Sequence, residues 1–117
     1  MSEQHTCHVE PIDKPVDRAQ LTDSMVAYLS VHGMGCPRCA TRVRNGLLML
    51  DGVLSTSVFL EKGMAAVFYD PERLSPHELV WAVAQAGRAS AHHYEARTLT
   101  VIPAWWLVGS DRSVADA

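Results

Sequence analysis

The chain has 117 residues, of which 48% are hydrophobic, a length and composition that suit one domain with a modest core and exclude disorder throughout. Ten basic and 13 acidic residues give a net charge of −3 without a basic run, which excludes the electrostatic footprint of a nucleic-acid-binding protein. No apolar stretch approaches the roughly 18 residues of a membrane span, and the polar N-terminus lacks a signal-peptide pattern, so we expect a cytoplasmic protein.

The first 24 residues are expected to form an N-terminal arm, because they show little hydrophobic periodicity. Three potential metal ligands lie within four positions of this arm: His5, Cys7 and His8. Two interpretations stay open for them. They belong to a solvated terminus without a metal role, or they are accessory ligands, for a second ion or for a larger coordination shell.

A strand is predicted from Met25 to Val31, with Ala27, Leu29 and Val31 on one face. It leads into the loop Gly33–Cys39, and a helix follows from Pro37 to Leu50. Gly46 lies on the buried stripe of that helix, which predicts close contact between helix and sheet.

Cys36 and Cys39 stand at the junction between this strand and this helix. A helix N-terminus carries partial positive charge and free backbone N–H groups, which favour a thiolate over a thiol. Thiolates bind soft metals and also attack disulfides, so the spacing alone indicates either a metal site or a redox site. The odd number of cysteines, three, argues against a disulfide framework.

Four further elements and a hairpin turn follow in the remaining sequence. They are a strand over 53–61, a hairpin turn at Lys62-Gly63, a strand over 64–69, a helix from a Ser75–Glu78 capping box to Gly87, and a strand over 91–102. The order β-α-β-β-α-β predicts an α+β fold of the ferredoxin-like type. This is a four-stranded antiparallel sheet with two helices on one face.

Residues 25–98 resemble the heavy-metal-associated domain, the family of cytosolic copper chaperones, metal-binding domains of heavy-metal P-type ATPases and periplasmic mercury-binding proteins. The residues that carry the likeness are the loop Gly33–Cys39, then Val43, Gly46, Leu47, Leu50, Gly52, Val53, Val58, Leu60, Ala65, Val67, Tyr69, Asp70, Pro71, Leu79, Val83, Ala86 and Gly87. The resemblance implies that Cys36 and Cys39 are the metal ligands. It also implies that Met34 is a buried residue that holds the loop down rather than a ligand.

The chain departs from this family at several positions. Gly35 stands where many members carry Thr, Ser or Asp, which makes a zinc- or cadmium-type site less favoured. Arg88 stands where members carry an aromatic residue or Lys. It is either a surface arginine or a cation that offsets the charge of a copper–thiolate complex.

The sheet face away from the helices would carry three aromatic residues, Tyr28, Phe59 and Phe68, and an extension over 99–117 contains Trp105 and Trp106. An exposed aromatic face of this kind predicts that another segment or protein packs against it. Three candidates stay open: the chain's own tail, a second subunit in a homodimer, or a partner protein.

The sequence thus predicts a non-enzymatic Cu(I) metallochaperone or buffer that hands its ion to a heavy-metal-transporting P-type ATPase or another acceptor protein. Cu(I) accepts two thiolates, whereas structural Zn(II) prefers four ligands. The alternative is an accessory or sensor module for Zn(II), Hg(II) or Cd(II), and a minor alternative is a thiol–disulfide oxidoreductase. No Ser/His/Asp set, carboxylate pair or phosphate-binding loop occurs at a spacing that suits an enzyme.

Overall fold

The computed structural model describes residue 11, residues 21–89 and residues 92–107. The elements are β1 (Met25–His32), α1 (Pro37–Leu48), β2 (Val53–Phe59), a 3-10 turn (Leu60–Lys62), β3 (Met64–Tyr69), α2 (Pro76–Ala89) and β4 (Glu95–Pro103). This order confirms the predicted β-α-β-β-α-β arrangement. In the described ranges, no helix has the length and the apolar character that crossing a bilayer would require.

The sheet has four strands in the order β2-β3-β1-β4, and every neighbouring pair is antiparallel. The central strand β1 alternates as predicted, because successive side chains of a strand point to opposite faces. Ala27, Leu29 and Val31 lie in the core with the buried stripes of both helices. The fold therefore places the end of β1 and the start of α1 at one edge of a well-packed sandwich.

The glycine on the buried stripe of α1 makes a different contact from the predicted one. A Cβ added to Gly46 would lie 3.0 Å from the Cβ of Ala86 and 3.5 Å from the carbonyl oxygen of Ala82, and both residues belong to α2. The prediction of a close helix–sheet contact was wrong. Gly46 instead lets the two helices approach each other on the same face of the sheet.

Several element ends also differ from prediction. Helix α1 ends at Leu48, and β2 ends at Phe59 because a 3-10 turn precedes Gly63. Helix α2 does not end at Gly87 but continues to Ala89. Gly87 is needed for space rather than for termination, since a Cβ there would lie 2.9 Å from the backbone nitrogen of Tyr94. Strand β4 begins at Glu95 and continues past residue 98 to Pro103.

The second face of the sheet carries a small apolar cluster. Val26 and Ala66 are buried there, with Tyr28, Phe68 and Ile102 partly buried around them. The helical turn 104–107 contributes Ala104 and Leu107 to the same cluster, and the backbone N–H of Ala104 donates to the Ser24 carbonyl. The chain's own tail thus contacts this face. The indole rings do not cover this face, because Trp105 and Trp106 are 57% and 56% exposed. Phe59, the third predicted aromatic residue of the face, is 45% exposed.

Candidate metal site

The loop between β1 and α1 is held against the segment that enters β4. Gly33 adopts φ +103°, and a Cβ at this position would lie 2.1 Å from the carbonyl oxygen of His93. Only glycine fits so close to a neighbouring backbone at a positive φ without strain. Met34 follows, partly buried and packed against the main core. The role of Met34 in holding the loop down stays a prediction.

The first turn of α1 positions the two cysteines. Cys36 is the N-cap residue with an extended backbone, Pro37 takes the first helical position, and Cys39 lies inside the first turn. The carbonyl oxygen of Cys36 accepts the backbone N–H of Cys39 at 2.9 Å. The two side chains therefore project from the same helical start, as the sequence predicted.

The two sulfurs lie close enough to contact the same ion. Their Sγ atoms are 3.6 Å apart, and both thiols are free. Metal–thiolate bonds are about 2.3 Å long, so two sulfurs at this separation reach one ion at a bent angle of about 100°, and a linear arrangement would require them to move apart to about 4.6 Å. Cys36 is half-buried, whereas Cys39 is only 3% exposed. The pair thus has one sulfur open to a partner and one enclosed by the protein.

The enclosed thiol of Cys39 is surrounded by hydrogen-bond donors. Burial by itself raises its pKa, but hydrogen bonds from the Tyr94 hydroxyl, the backbone at Gly35, and the side chain and backbone of Cys36 outweigh burial. Together they lower the pKa of Cys39 from an ordinary value of 9.0 to about 6. A thiolate at neutral pH is the form that binds a soft metal.

Tyr94 and Arg42 are site residues that the sequence analysis missed. Tyr94 is only 2% exposed, and its hydroxyl oxygen accepts a hydrogen bond from the Arg42 guanidinium at 3.5 Å. This contact raises the pKa of Arg42, and the negative charges of Cys39 and Cys36 add to the effect. A cation is therefore connected to the cysteine pair through one tyrosine.

Two signals in the sequence could have found these residues. Arg42 follows Cys39 at i+3, the spacing that puts two helical side chains on the same face. Tyr94 is the first Phe, Tyr or Trp residue after Gly87, which made it a candidate for an aromatic residue near the cysteine loop. Arg88, which the sequence analysis left either as a surface arginine or as a charge-compensating cation, lies exposed in the last turn of α2, and its role stays a prediction.

No third protein ligand joins the cysteines in the described ranges, where no group of three or more His, Cys, Asp or Glu side chains could hold an ion. The accessory ligands considered above, His5, Cys7 and His8, lie outside the described residues. Their metal role stays a prediction.

A model of the heavy-metal-associated domain matches residues 29–89, more than half of the chain. The chain belongs to this family. The matched residues of this heavy-metal-associated protein begin within β1 and end with α2, so they include the whole cysteine loop.

Known relatives of this heavy-metal-associated protein have copper-related names. The copper chaperone CopZ of Staphylococcus aureus is 36% identical over 59 residues, which are 50% of this chain and 87% of the relative. The human copper-transporting ATPase 2 is 34% identical over 77 residues, which are 66% of this chain but only 5% of that ATPase. The crystal structure of a copper-binding domain from the P-type ATPase HMA7 superposes with a TM-score of 0.60 at 27% identity, covering 66% of this chain and 96% of that domain.

Proposed function

We propose that this chain is a Cu(I) metallochaperone or buffer that passes its ion to the cysteine pair of a heavy-metal-transporting P-type ATPase. The observation that carries the proposal is the geometry of the cysteine pair. Two reduced sulfurs lie 3.6 Å apart at a helix N-terminus, one enclosed and one half-buried at the loop. Such a site holds an ion firmly and leaves one side of it open.

The ligand chemistry favours Cu(I) over Zn(II). Soft thiolates select Cu(I), and a two-thiolate site leaves positions open that a structural zinc site would fill with further ligands. The described residues bring no further Cys, His, Asp or Glu to the pair. The names of the relatives, a copper chaperone and a copper-transporting ATPase, support the same metal.

The transfer step follows from the unequal exposure of the two cysteines. A thiolate of the acceptor approaches the ion on the side of Cys36 and forms a third copper–sulfur bond. The bond to Cys36 then breaks, and a second acceptor thiolate replaces Cys39. Copper stays Cu(I) throughout, the acceptor thiols give up protons to solvent, and the released cysteines regain their protons according to their own pKa. The step requires reduced thiols, which the cytoplasm maintains.

A competition titration of the reduced full-length chain tests the choice of metal. We expect one Cu(I) per chain, taken from a cuprous chelator, and no displacement by equimolar Zn(II). A site that prefers Zn(II) or Hg(II) would overturn the copper proposal and favour the accessory or sensor role. Incubation with a small disulfide tests the redox alternative, and rapid catalytic turnover would favour the oxidoreductase.

The N-terminal ligands need a separate variant. The variant replaces His5 and His8 by Ala and Cys7 by Ser. We prefer it to deletion of residues 1–24, because the Ser24 carbonyl accepts a hydrogen bond from the backbone N–H of Ala104. If affinity and stoichiometry are unchanged, the arm has no metal role. A lower stoichiometry would show that the arm binds an ion of its own.

A further inference from the structure

Two exposed indole rings lie on a turn whose two ends are both attached to the domain. The helical turn after β4 begins at Ala104, which is fully buried and donates its backbone N–H to the Ser24 carbonyl at 2.9 Å. Leu107, at the other end of the turn, packs into the apolar cluster on the second sheet face. Trp105 and Trp106 lie between these attachment points and are 57% and 56% exposed. The turn thus presents a preformed aromatic pair to an approaching molecule.

A cavity of about 260 Å³ lies next to this turn. Its lining contains three carboxylates and three other side chains, which are Asp23, Asp70, Glu72, Ser24, Leu54 and Pro71. Because the Ser24 carbonyl accepts the N–H of Ala104, the Cα atom of Trp105 lies within about 8 Å of that carbonyl. We call the three carboxylates and the two indoles together the acidic aromatic surface.

The carboxylates of this surface have spare capacity for a cation. Asp23 and Glu72 are exposed, and neither contacts a basic side chain of the described ranges. Asp70 lies 3.7 Å from the Arg73 guanidinium, which is shared with Asp51. One arginine among four carboxylates leaves this region net negative. A single metal ion is not the expected ligand, because no three His, Cys, Asp or Glu side chains within residues 21–89 and 92–107 are grouped to hold one.

We propose that the acidic aromatic surface binds a basic segment of a partner protein, with Lys or Arg side chains over the indoles and beside the carboxylates. The negative π-face of an aromatic ring attracts a cation, and tryptophan is the best residue for this contact. A carboxylate adds a charge-assisted hydrogen bond to the same kind of group. An anionic lipid surface fits poorly, since it would meet like charges. A basic protein segment matches both halves of the surface.

This surface lies far from the cysteine pair. Ser24 precedes β1 and the cysteine loop follows it, so a strand of eight residues separates the two by about 25 Å. A partner bound at the acidic aromatic surface leaves Cys36 open to an acceptor. The surface is therefore suited to tether the chain while its cysteines remain accessible, and the binding itself does not depend on copper.

Fluorescence anisotropy of labelled peptides measures this binding to the reduced, metal-free, full-length chain. One peptide alternates Lys with Leu, and a second peptide of equal length alternates Glu with Leu. At low ionic strength we expect the Lys peptide to bind at least about tenfold more tightly, because its cations meet both the indoles and the carboxylates. The difference decreases at high salt, which screens exposed charges.

An exposed tryptophan elsewhere provides a matched control for the indoles. Trp105→Ala/Trp106→Ala is expected to lower the affinity for the Lys peptide by about tenfold or more, as truncation of a central aromatic contact does. Trp81→Ala should leave it unchanged, because Trp81 is 58% exposed but belongs to α2. Equal losses in the two variants would show unspecific contact with any exposed indole and would refute the proposal.

The carboxylates are tested in the same way. Asp23→Asn/Glu72→Gln should weaken binding of the Lys peptide by about three- to tenfold, since it removes two charges from the surface. The control Glu61→Gln/Glu95→Gln removes two other exposed carboxylates and should have no effect. If both variants weaken binding equally, the net charge of the chain is responsible and the local surface is refuted.

The remaining outcomes concern other occupants of the surface. Equal affinity for both peptides, or no binding of the Lys peptide, would overturn the proposal. Sedimentation with phosphatidylcholine vesicles that is lost in Trp105→Ala/Trp106→Ala would assign the indoles to a membrane. Dimerisation that is lost in the same variant would assign them to a second copy. Tighter peptide binding by Lys14→Ala/Arg18→Ala would assign the surface to the chain's own N-terminal arm, and each of these results would replace the partner protein.

A final variant separates this proposal from the proposed copper function. Cys36→Ser/Cys39→Ser should bind the Lys peptide as the natural chain does, because the cysteines lie at the other end of β1. Loss of peptide binding in this variant would contradict a surface that acts independently of the cysteine pair. Failure of copper transfer leaves the acidic aromatic surface standing, and failure of peptide binding leaves copper transfer standing.

Discussion

Two groups of three polar residues, one at each end of the domain, differ in what they do. At the end of the domain that contains the cysteine loop, which we call the metal end, Arg42, Tyr94 and Cys39 form a connected set around a buried tyrosine and a buried thiol. At the opposite end, Arg73 contacts Asp51 at 3.0 Å and Asp70 at 3.7 Å, with side chains that are 59%, 90% and 39% exposed.

Burial is the property that separates the two groups. Water and salt screen the exposed ion pairs, so such contacts typically contribute little to stability. In the enclosed set a few hydrogen bonds are enough to lower the pKa of Cys39 to about 6. Substitutions at the metal end should therefore have large and specific effects, and comparable ones at the opposite end should have almost none.

The largest effect is expected from the cysteines themselves. Cys36→Ser and Cys39→Ser should each lower Cu(I) affinity by more than about 100-fold, beyond the range that loss of a supporting residue causes. Chelator competition measures the change, and Arg73→Ala at the opposite end is the control. Retention of wild-type affinity in either serine variant would remove that cysteine from the metal site.

The pH dependence of stability tests the thiolate directly. The folded pKa of Cys39, about 6, lies below its ordinary value of 9.0. Ionisation of Cys39 therefore adds its full contribution to the free energy of unfolding above pH 9, and this contribution is lost as the pH falls toward 6. It amounts to at most about 4 kcal/mol, because one pKa unit corresponds to about 1.4 kcal/mol. Denaturant unfolding of metal-free, reduced protein at pH 6 and pH 9 measures it. Cys39→Ala should lose this part of the pH dependence, and identical profiles would contradict the lowered pKa.

The cysteine loop should be sensitive to a single methyl group. Gly33→Ala combines a positive φ with a clash against the His93 carbonyl, and we expect a loss of about 3 kcal/mol or more. Gly35→Ala, two residues along the same loop, is the matched control because nothing lies within 4 Å of its added Cβ. Thermal unfolding compares the two variants. Equal melting temperatures would contradict the close packing of the loop on the segment before β4.

Removal of the tyrosine hydroxyl tests the connection between Arg42 and Cys39. Tyr94→Phe and Arg42→Met should each raise the pKa of the Cys39 thiol, seen in the pH dependence of thiolate ultraviolet absorbance. Each should also lower Cu(I) affinity by about tenfold, as loss of a supporting residue does. Arg88→Met separates this set from the other cation that the sequence analysis considered. A larger effect of Arg88→Met would make Arg88 the charge-compensating residue after all.

The smallest effect is expected at the opposite end. Arg73→Ala removes both ion pairs, yet it should change the free energy of unfolding by no more than about 0.5 kcal/mol, because the partners are exposed. Denaturant unfolding at low and high salt checks this expectation. A loss above about 2 kcal/mol would show that this end also depends on its polar contacts.

Local patterns explain why so much of this fold could be predicted. Alternation in β1, the Ser75–Glu78 capping box and the position of Pro37 after Cys36 each depend on residues within a few positions of one another. The placement of the cysteine pair was predictable for the same reason, since the two residues lie within one helical turn. Helix α2 shows the limit of such patterns. Glycine often ends a helix, yet Gly87 lies within this one.

The sequence by itself determined the order of the elements, the face of β1 that is buried and the position of the two cysteines at the start of α1. Only the tertiary structure decided that Gly46 serves the contact between the helices, that Ala104 and Leu107 contact the second sheet face, and that Arg42 lies within hydrogen-bond distance of Tyr94. The physical reason is distance along the chain. Arg42 and Tyr94 are 52 positions apart, and side chains so distant in sequence meet only where the packed sheet and helices bring them together.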